Sequence, residues 1–520
     1  MTELRYPIGV QTFSEIIEDG MTYVDKTHFI PLLIKSKYIF LSRPRRFGKS
    51  LLLSTLEAYF EGKRHLFRGL ALDSMDVDWD PSPVLHFDFN SGVYETAVGL
   101  VARLSMTLET MEMKYGLPTA SDTRELIPLR FERIIKQAAE MTGRKVVILV
   151  DEYDKPLLGL EKNREVFEDN QRLLKSLFGN LKSMDRYIRF AFLTGVARFS
   201  KVSIFSDINH LKDISLDDQF SDICGWTEEE LVGTFRQGIE KLALRRKEEY
   251  ATTLSVLRDY YDGYRFTSEG SRLYNPFSVL RALDSLSIEP YWFESATPSF
   301  LFRMIVDNAI DPADINGHLF SKRELMQVRI GARNPIPLMF QTGYLTIDSY
   351  DEELDGYTLR FPNREVEVAF SEDLLPVYFE QSTTSDEPFN IVGFRKDLAE
   401  GDPVSFMKRL ATAFKDLPVE DQREGTYRAV TYLLCKVCGM DTRTETHSYK
   451  GRSDMEVFTR RYVYLFEFKY NKSSAEAMEQ IHSRDYAGRY ALDARTVFLI
   501  GVNYCDKKEN RGLTYEIQTL

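Results

Sequence analysis

A chain of 520 residues with 43% hydrophobic and 13% aromatic residues is expected to be folded and soluble, with two or three domains. That composition excludes a disordered chain, and a net charge of −12 excludes bulk basicity as a route to nucleic acid. No apolar run approaches the length of a bilayer span, and the start Met1-Thr2-Glu3-Leu4-Arg5 lacks the basic and apolar regions of a secretory signal, so a cytoplasmic protein without membrane contact is expected.

The first informative stretch is Tyr38-Ile39-Phe40-Leu41, an apolar strand running into Ser42-Arg43-Pro44-Arg45-Arg46-Phe47-Gly48-Lys49-Ser50. A strand, a tight basic loop and a helix opening at Gly-Lys-Ser make the end of a phosphate-binding loop. Backbone N–H groups near Gly48 can surround a phosphate, Lys49 can reach its outer oxygens, and the Ser50 hydroxyl can hold magnesium. Arg43 stands where the first glycine of the full motif belongs. Further strands are predicted at 84–89, 145–150 and 187–193, separated by helical periodicity, which is the pattern of a parallel sheet with helices on both faces. The 145–150 strand is continuously apolar from Val146 onward and runs into Asp151-Glu152. An acid at that edge can bind magnesium beside the phosphate loop, and the next can activate water; Asp151 is therefore the expected metal partner and Glu152 the general base. Thr194, at the tip of the next strand, is placed to sense the outer phosphate, with Arg198 reaching toward it.

From about residue 225 the texture becomes helical, beginning with a capping box at Thr227-Glu228-Glu229-Glu230. The polar stretch from Gln381 to Pro388 reads as a linker. Arg43, Arg45 and Arg46, then Lys63 and Arg64, then Arg460 and Arg461, read as solvated basic turns. Cys435 and Cys438 form a C-x-x-C inside an apolar helical run and read as buried thiols on a helix face.

Near the C-terminus, Gly451–Phe458 and Tyr462–Tyr470 flank a tight basic turn and predict a hairpin. Alternation puts Glu467 and Lys469 on one face, and antiparallel pairing brings Asp454 beside them. Two carboxylates and a lysine are what metal-dependent phosphodiester cleavage needs: Asp454 and Glu467 hold magnesium, and Lys469 orients the nucleophile or offsets developing negative charge. A cross-strand salt bridge is the alternative, but charges interrupting so apolar a run are costly without a role. Glu424, opening the helix before the hairpin, is a further candidate acid, and Gln480 on the following helix a candidate phosphate contact.

Ser42-Arg43-Pro44-Arg45-Arg46-Phe47-Gly48-Lys49-Ser50, with Tyr23-Val24-Asp25-Lys26-Thr27 upstream and Val150-Asp151-Glu152-Tyr153-Asp154 downstream, resembles the bacterial AAA-ATPase-like family. Its members typically carry a C-terminal nuclease domain of the PD-(D/E)XK superfamily, and Asp454 with Glu467-Phe468-Lys469 matches that superfamily's Asp and Glu-x-Lys. The resemblance implies an α/β chain: a P-loop NTPase core of the additional-strand type with a parallel sheet (1–224), a mostly helical middle region (225–385) and a restriction-endonuclease-like α/β domain (386–520). Arginine at position 43 is usual for the family. ATP and Mg2+ are the expected cofactors and DNA the expected partner, with RNA also compatible and a homo-oligomer allowed. The expected activity is ATP binding and hydrolysis coupled to magnesium-dependent cleavage of DNA. A nucleotide-dependent switch or scaffold that binds without cutting is the rival.

Overall fold

The computed structural model describes residues 4–96, 98–118, 123–160, 163–198, 211–292, 299–315, 317, 319–326, 334–379, 390–417, 424–448, 451–506 and 512–520. The chain forms two compact units, one of residues 1–295 and 319–365 and the other of 296–318 and 366–520. Among the described residues, no helix is long and apolar enough to cross a membrane.

The first unit is built on a sheet of β1 (Tyr38–Ser42), β2 (Val84–Asp88), β3 (Val146–Asp151), β4 (Ile188–Gly195) and β5 (Lys212–Asp213), in the order β2-β3-β4-β1-β5. Every pairing is parallel. All residues of β1 and β3 are buried, as the continuous apolar runs require when both faces of a sheet are covered. The strand β4 lies between β1 and β3, so this is a P-loop core with an additional strand. The tip of β4 therefore stands between the phosphate loop and Asp151.

The helix Glu228–Arg246 opens with the expected capping box, Thr227 and Glu230 each capping the other's backbone. Asn275 caps Pro276–Ser285, which gives the Asn-Pro step a structural role. The middle of the chain is mostly helical, but it also holds a small antiparallel sheet of β6 (Leu319–Ser321), β7 (Thr346–Asp351) and β8 (Gly356–Arg360) in the order β6-β8-β7. The hairpin of β7 and β8 turns through Asp355, whose φ is +47°. The stretch from Gln381 to Pro388 lies outside the described residues.

In the second unit, β9 (Asp441–Ser448), β10 (Gly451–Phe458), β11 (Tyr462–Tyr470), β12 (Thr496–Cys505) and β13 (Gly512–Thr519) lie side by side in chain order. The expected hairpin is β10–β11. The next pair, β11 and β12, is parallel and needs a crossover, which the helix Ser474–Ser483 supplies. Met478 and Ile481 of that helix close a core over Val463, Leu465, Val497 and Leu499. The helix Glu424–Val437 packs on β9, β10 and β11. Cys435 and Cys438 are buried free thiols, as the apolar run implied.

Candidate active sites

The two constellations fall in different units. In the first, β1 ends at Ser42 and the chain turns to the helix Lys49–Phe60. Gly48 is its N-cap, at φ +90°, a conformation glycine takes without penalty. No side chain caps that helix, so its first N–H groups are left for a ligand. The buried ammonium of Lys49 lies 3.1 Å from the Pro44 carbonyl oxygen and 3.2 Å from Glu152 Oε1. Ser50 Oγ donates to Asp151 Oδ2 at 2.5 Å. Asn90, just past β2, approaches the same Oδ2 at 3.4 Å.

Asp151 Oδ1 and Thr194 Oγ1 are buried here without a hydrogen-bond partner. A buried polar atom without a protein partner calls for an explanation, and a bound ion, a water or a catalytic role each supplies one. A hydroxyl and a carboxylate already in contact, with an orphaned oxygen beside them, fit a magnesium ion. Burial raises the Asp151 carboxyl above its usual range. Burial also opposes the charge on Glu152, yet the Lys49 ammonium outweighs it and holds that carboxyl low. Glu152 itself sits at φ +53°, a costly conformation for a non-glycine residue.

The basic side chains of the loop behave differently from solvated turns. Arg43 is 1% exposed, its guanidinium donating to the carbonyls of Ser42, Ser215 and Phe220 and lying 4.4 Å from the Phe266 ring. Arg43 is therefore not a solvated turn residue: the Ser215 and Phe220 carbonyls, far along the chain, hold its two terminal nitrogens inside the fold, while its Nε is buried without a partner. Burial lowers its pKa to about 10, which leaves it charged at neutral pH. Arg46, at φ +68°, donates to the Tyr291 carbonyl at 2.5 Å and stacks 3.8 Å from Phe277. Phe47 packs edge-on against Tyr264 and Phe266, and the Arg45 carbonyl accepts from the Trp292 indole. The side chains of Arg43, Arg46 and Phe47 thus hold the loop from behind, and Pro44 meets Lys49 through its carbonyl. Arg198 pairs with Asp213 on β5, and its backbone N–H donates to Gln341, so its charge is engaged by a carboxylate of its own unit.

In the second unit, the hairpin register places Asp454 opposite Glu467, one step beyond the Met455–Phe466 pair. Asp454 Oδ2 accepts the Phe468 N–H at 2.8 Å, and Lys469 Nζ lies 2.7 Å from Glu467 Oε1. Asp454, Glu467 and Lys469 therefore meet. Glu467 is fully buried, and its Oε2 has no hydrogen-bond partner. Burial pushes its carboxyl up to about 7, with the Asp454 charge adding to the effect. Two adjacent carboxylates with one orphaned oxygen fit a divalent cation whose remaining ligands are water. No group of three or more His, Cys, Asp or Glu is gathered around a common point among the described residues. The side chain of Glu424 lies outside what is described. Gln480 donates to the Tyr486 hydroxyl at 3.3 Å, and Tyr486 feels the charges of Glu467 and Asp454. Sequence reasoning did not single out Tyr486, Asn90 or Asp154. Only the last carried a signal, as the third of the acids that begin at the end of β3.

Residues 7–205 match the family described as predicted AAA-ATPase, and 422–513 match the PD-(D/E)XK nuclease superfamily. The chain is 36% identical over 525 residues to the "Uncharacterized protein in vnfD 5'region" of Azotobacter chroococcum mcd 1, with 97% of each chain covered. The chain belongs to the predicted AAA-ATPase family with a C-terminal PD-(D/E)XK nuclease superfamily domain. No solved structure matches it. The AAA-ATPase-like match takes in Lys49, Ser50, Asp151, Glu152, Thr194 and Arg198, and the nuclease-superfamily match takes in Asp454, Glu467 and Lys469. The family thus assigns a nucleotide-binding type of role to one unit and a nuclease type to the other.

Proposed function

We propose that this protein hydrolyses ATP at the first centre and cuts phosphodiester bonds in DNA at the second, each with magnesium, in the cytoplasm. The observation that carries the reading is the meeting of Asp454, Glu467 and Lys469 around an orphaned, buried carboxylate oxygen. A bound magnesium ion would supply charge neutralisation and a polarised water at each centre.

At the ATP centre, Ser50 and Asp151 hold the ion and Lys49 takes the outer phosphate. A phosphate competing for Lys49 draws it from Glu152, and the released carboxylate is then free to accept a proton from the attacking water. The Thr194 hydroxyl is the donor left for a phosphate oxygen. At the second centre, Asp454 and Glu467 hold the ion, and Lys469 steadies the nucleophile and the negative charge that grows on the phosphate. The domain limits 1–224, 225–385 and 386–520 belong to the same proposal.

The test is cleavage of plasmid and linear DNA with magnesium and ATP. Lys469→Ala should abolish cutting while ATP binding stays at the parent level. DNA left intact by the wild type under every metal and nucleotide condition would favour a switch that binds without cutting. Cutting confined to RNA would correct the substrate.

A further inference from the structure

Asp154 lies two residues past Glu152 and is fully buried. Its carboxylate accepts the N–H of Val196 at 3.1 Å and of Ala197 at 2.5 Å, so it grips the turn that leaves β4. Neighbouring bonds tie the same turn: the Tyr153 N–H donates to the Thr194 carbonyl, the Tyr153 hydroxyl to the Ala197 carbonyl, and Ser42 Oγ of β1 to the Val196 carbonyl. Gly195 lies so close to Asp154 that a Cβ there would collide with the carboxylate and stand 2.8 Å from the Tyr153 ring. Just before this turn, Thr194 presents a buried hydroxyl with no partner. An unsatisfied buried hydroxyl is costly and is tolerated where a ligand completes it.

We propose that Asp154 is the positioning residue of the ATP centre: by clamping residues 194–197 it fixes the Thr194 hydroxyl between the tips of β1 and β3, where the outer phosphate of ATP arrives. The assignment rests on the ATPase reading above. Asp154 touches no substrate and acts through Thr194. Its Oδ2 accepts both N–H groups and its Oδ1 also lies 3.2 Å from the Val196 nitrogen, whereas an asparagine that keeps its oxygen on Ala197 turns an NH2 toward the Val196 N–H. The turn should then loosen while Lys49, Ser50 and the loop that binds nucleotide stay in place.

The experiment compares full-length wild type, Asp154→Asn and Gly195→Ala for affinity toward a fluorescent ATP analogue with magnesium, ATP turnover, and amide hydrogen exchange. For Asp154→Asn, affinity is expected within about twofold of the parent and turnover at least ~10-fold lower. Exchange across 194–198 should be faster, with 38–42 and 146–151 unchanged. Parent-level turnover, unchanged exchange across 194–198, or an equal loss of affinity and turnover would each overturn the assignment. A wild type that binds ATP without turning it over defeats the ATPase reading, while the exchange comparison still decides the clamp. If Asp154→Asn does not fold, Gly195→Ala crowds the same contact with the carboxylate intact, and parent-level turnover there overturns the proposal equally.

Discussion

Lys49 is shared between Glu152 and the Pro44 carbonyl, so a phosphate must win it from a carboxylate. Glu152→Gln weakens that competitor and removes the base. Nucleotide affinity should equal or exceed the parent's, and phosphate release should slow at least ~100-fold. Turnover at the parent rate would mean that another group accepts the proton. Glu467 makes a second prediction, on pH. Its folded-state carboxyl sits at about 7, above the ordinary carboxylate value, because burial and Asp454 oppose its charge. The folded state therefore binds the proton more tightly than the unfolded chain, so stability falls as pH rises from the ordinary value toward 7. A metal ion held by Asp454 and Glu467, as proposed, would offset that charge. Thermal scans should show magnesium raising the melting temperature more at pH 8 than at pH 5. A magnesium effect independent of pH would contradict the placement of the ion at Glu467.

The phosphate loop shows what sequence alone could and could not carry at the level of an element. Its strand and helix were legible because Tyr38–Leu41 is unbroken apolar sequence and Gly48-Lys49-Ser50 opens a helix. The 451–470 hairpin was legible for a similar reason: a period of two around a tight turn fixes which charges share a face. The rear of the loop was not legible. Arg43 reads as a surface charge until Ser215, Phe220 and Phe266, far along the chain, are brought against it. Asp154 was hidden among three acids in four residues, and only the folded turn at 194–197 separates its role from theirs. Replacing Arg43 with alanine should therefore destabilise the protein by roughly 2–4 kcal/mol, since buried carbonyls lose a charged donor. Chemical denaturation measures this, and an unchanged midpoint would show that the contacts with Ser215 and Phe220 carry no weight.

At the scale of the whole molecule, each unit holds one of the two proposed centres: Lys49, Ser50, Asp151 and Glu152 in the first, Asp454, Glu467 and Lys469 in the second. Each also carries a buried carboxylate oxygen left without a partner, Asp151 Oδ1 and Glu467 Oε2. With a net charge of −12, the attraction to DNA proposed above would have to come from local basic groups and not from the chain as a whole. Two metal-dependent centres in one chain is the central claim. Its most direct test is an anomalous-scattering map of crystals grown with manganese and a non-hydrolysable ATP analogue. One metal is expected between Ser50 and Asp151 and another between Asp454 and Glu467; a map without metal at either place, with Lys469 still paired to Glu467, would refute both sites.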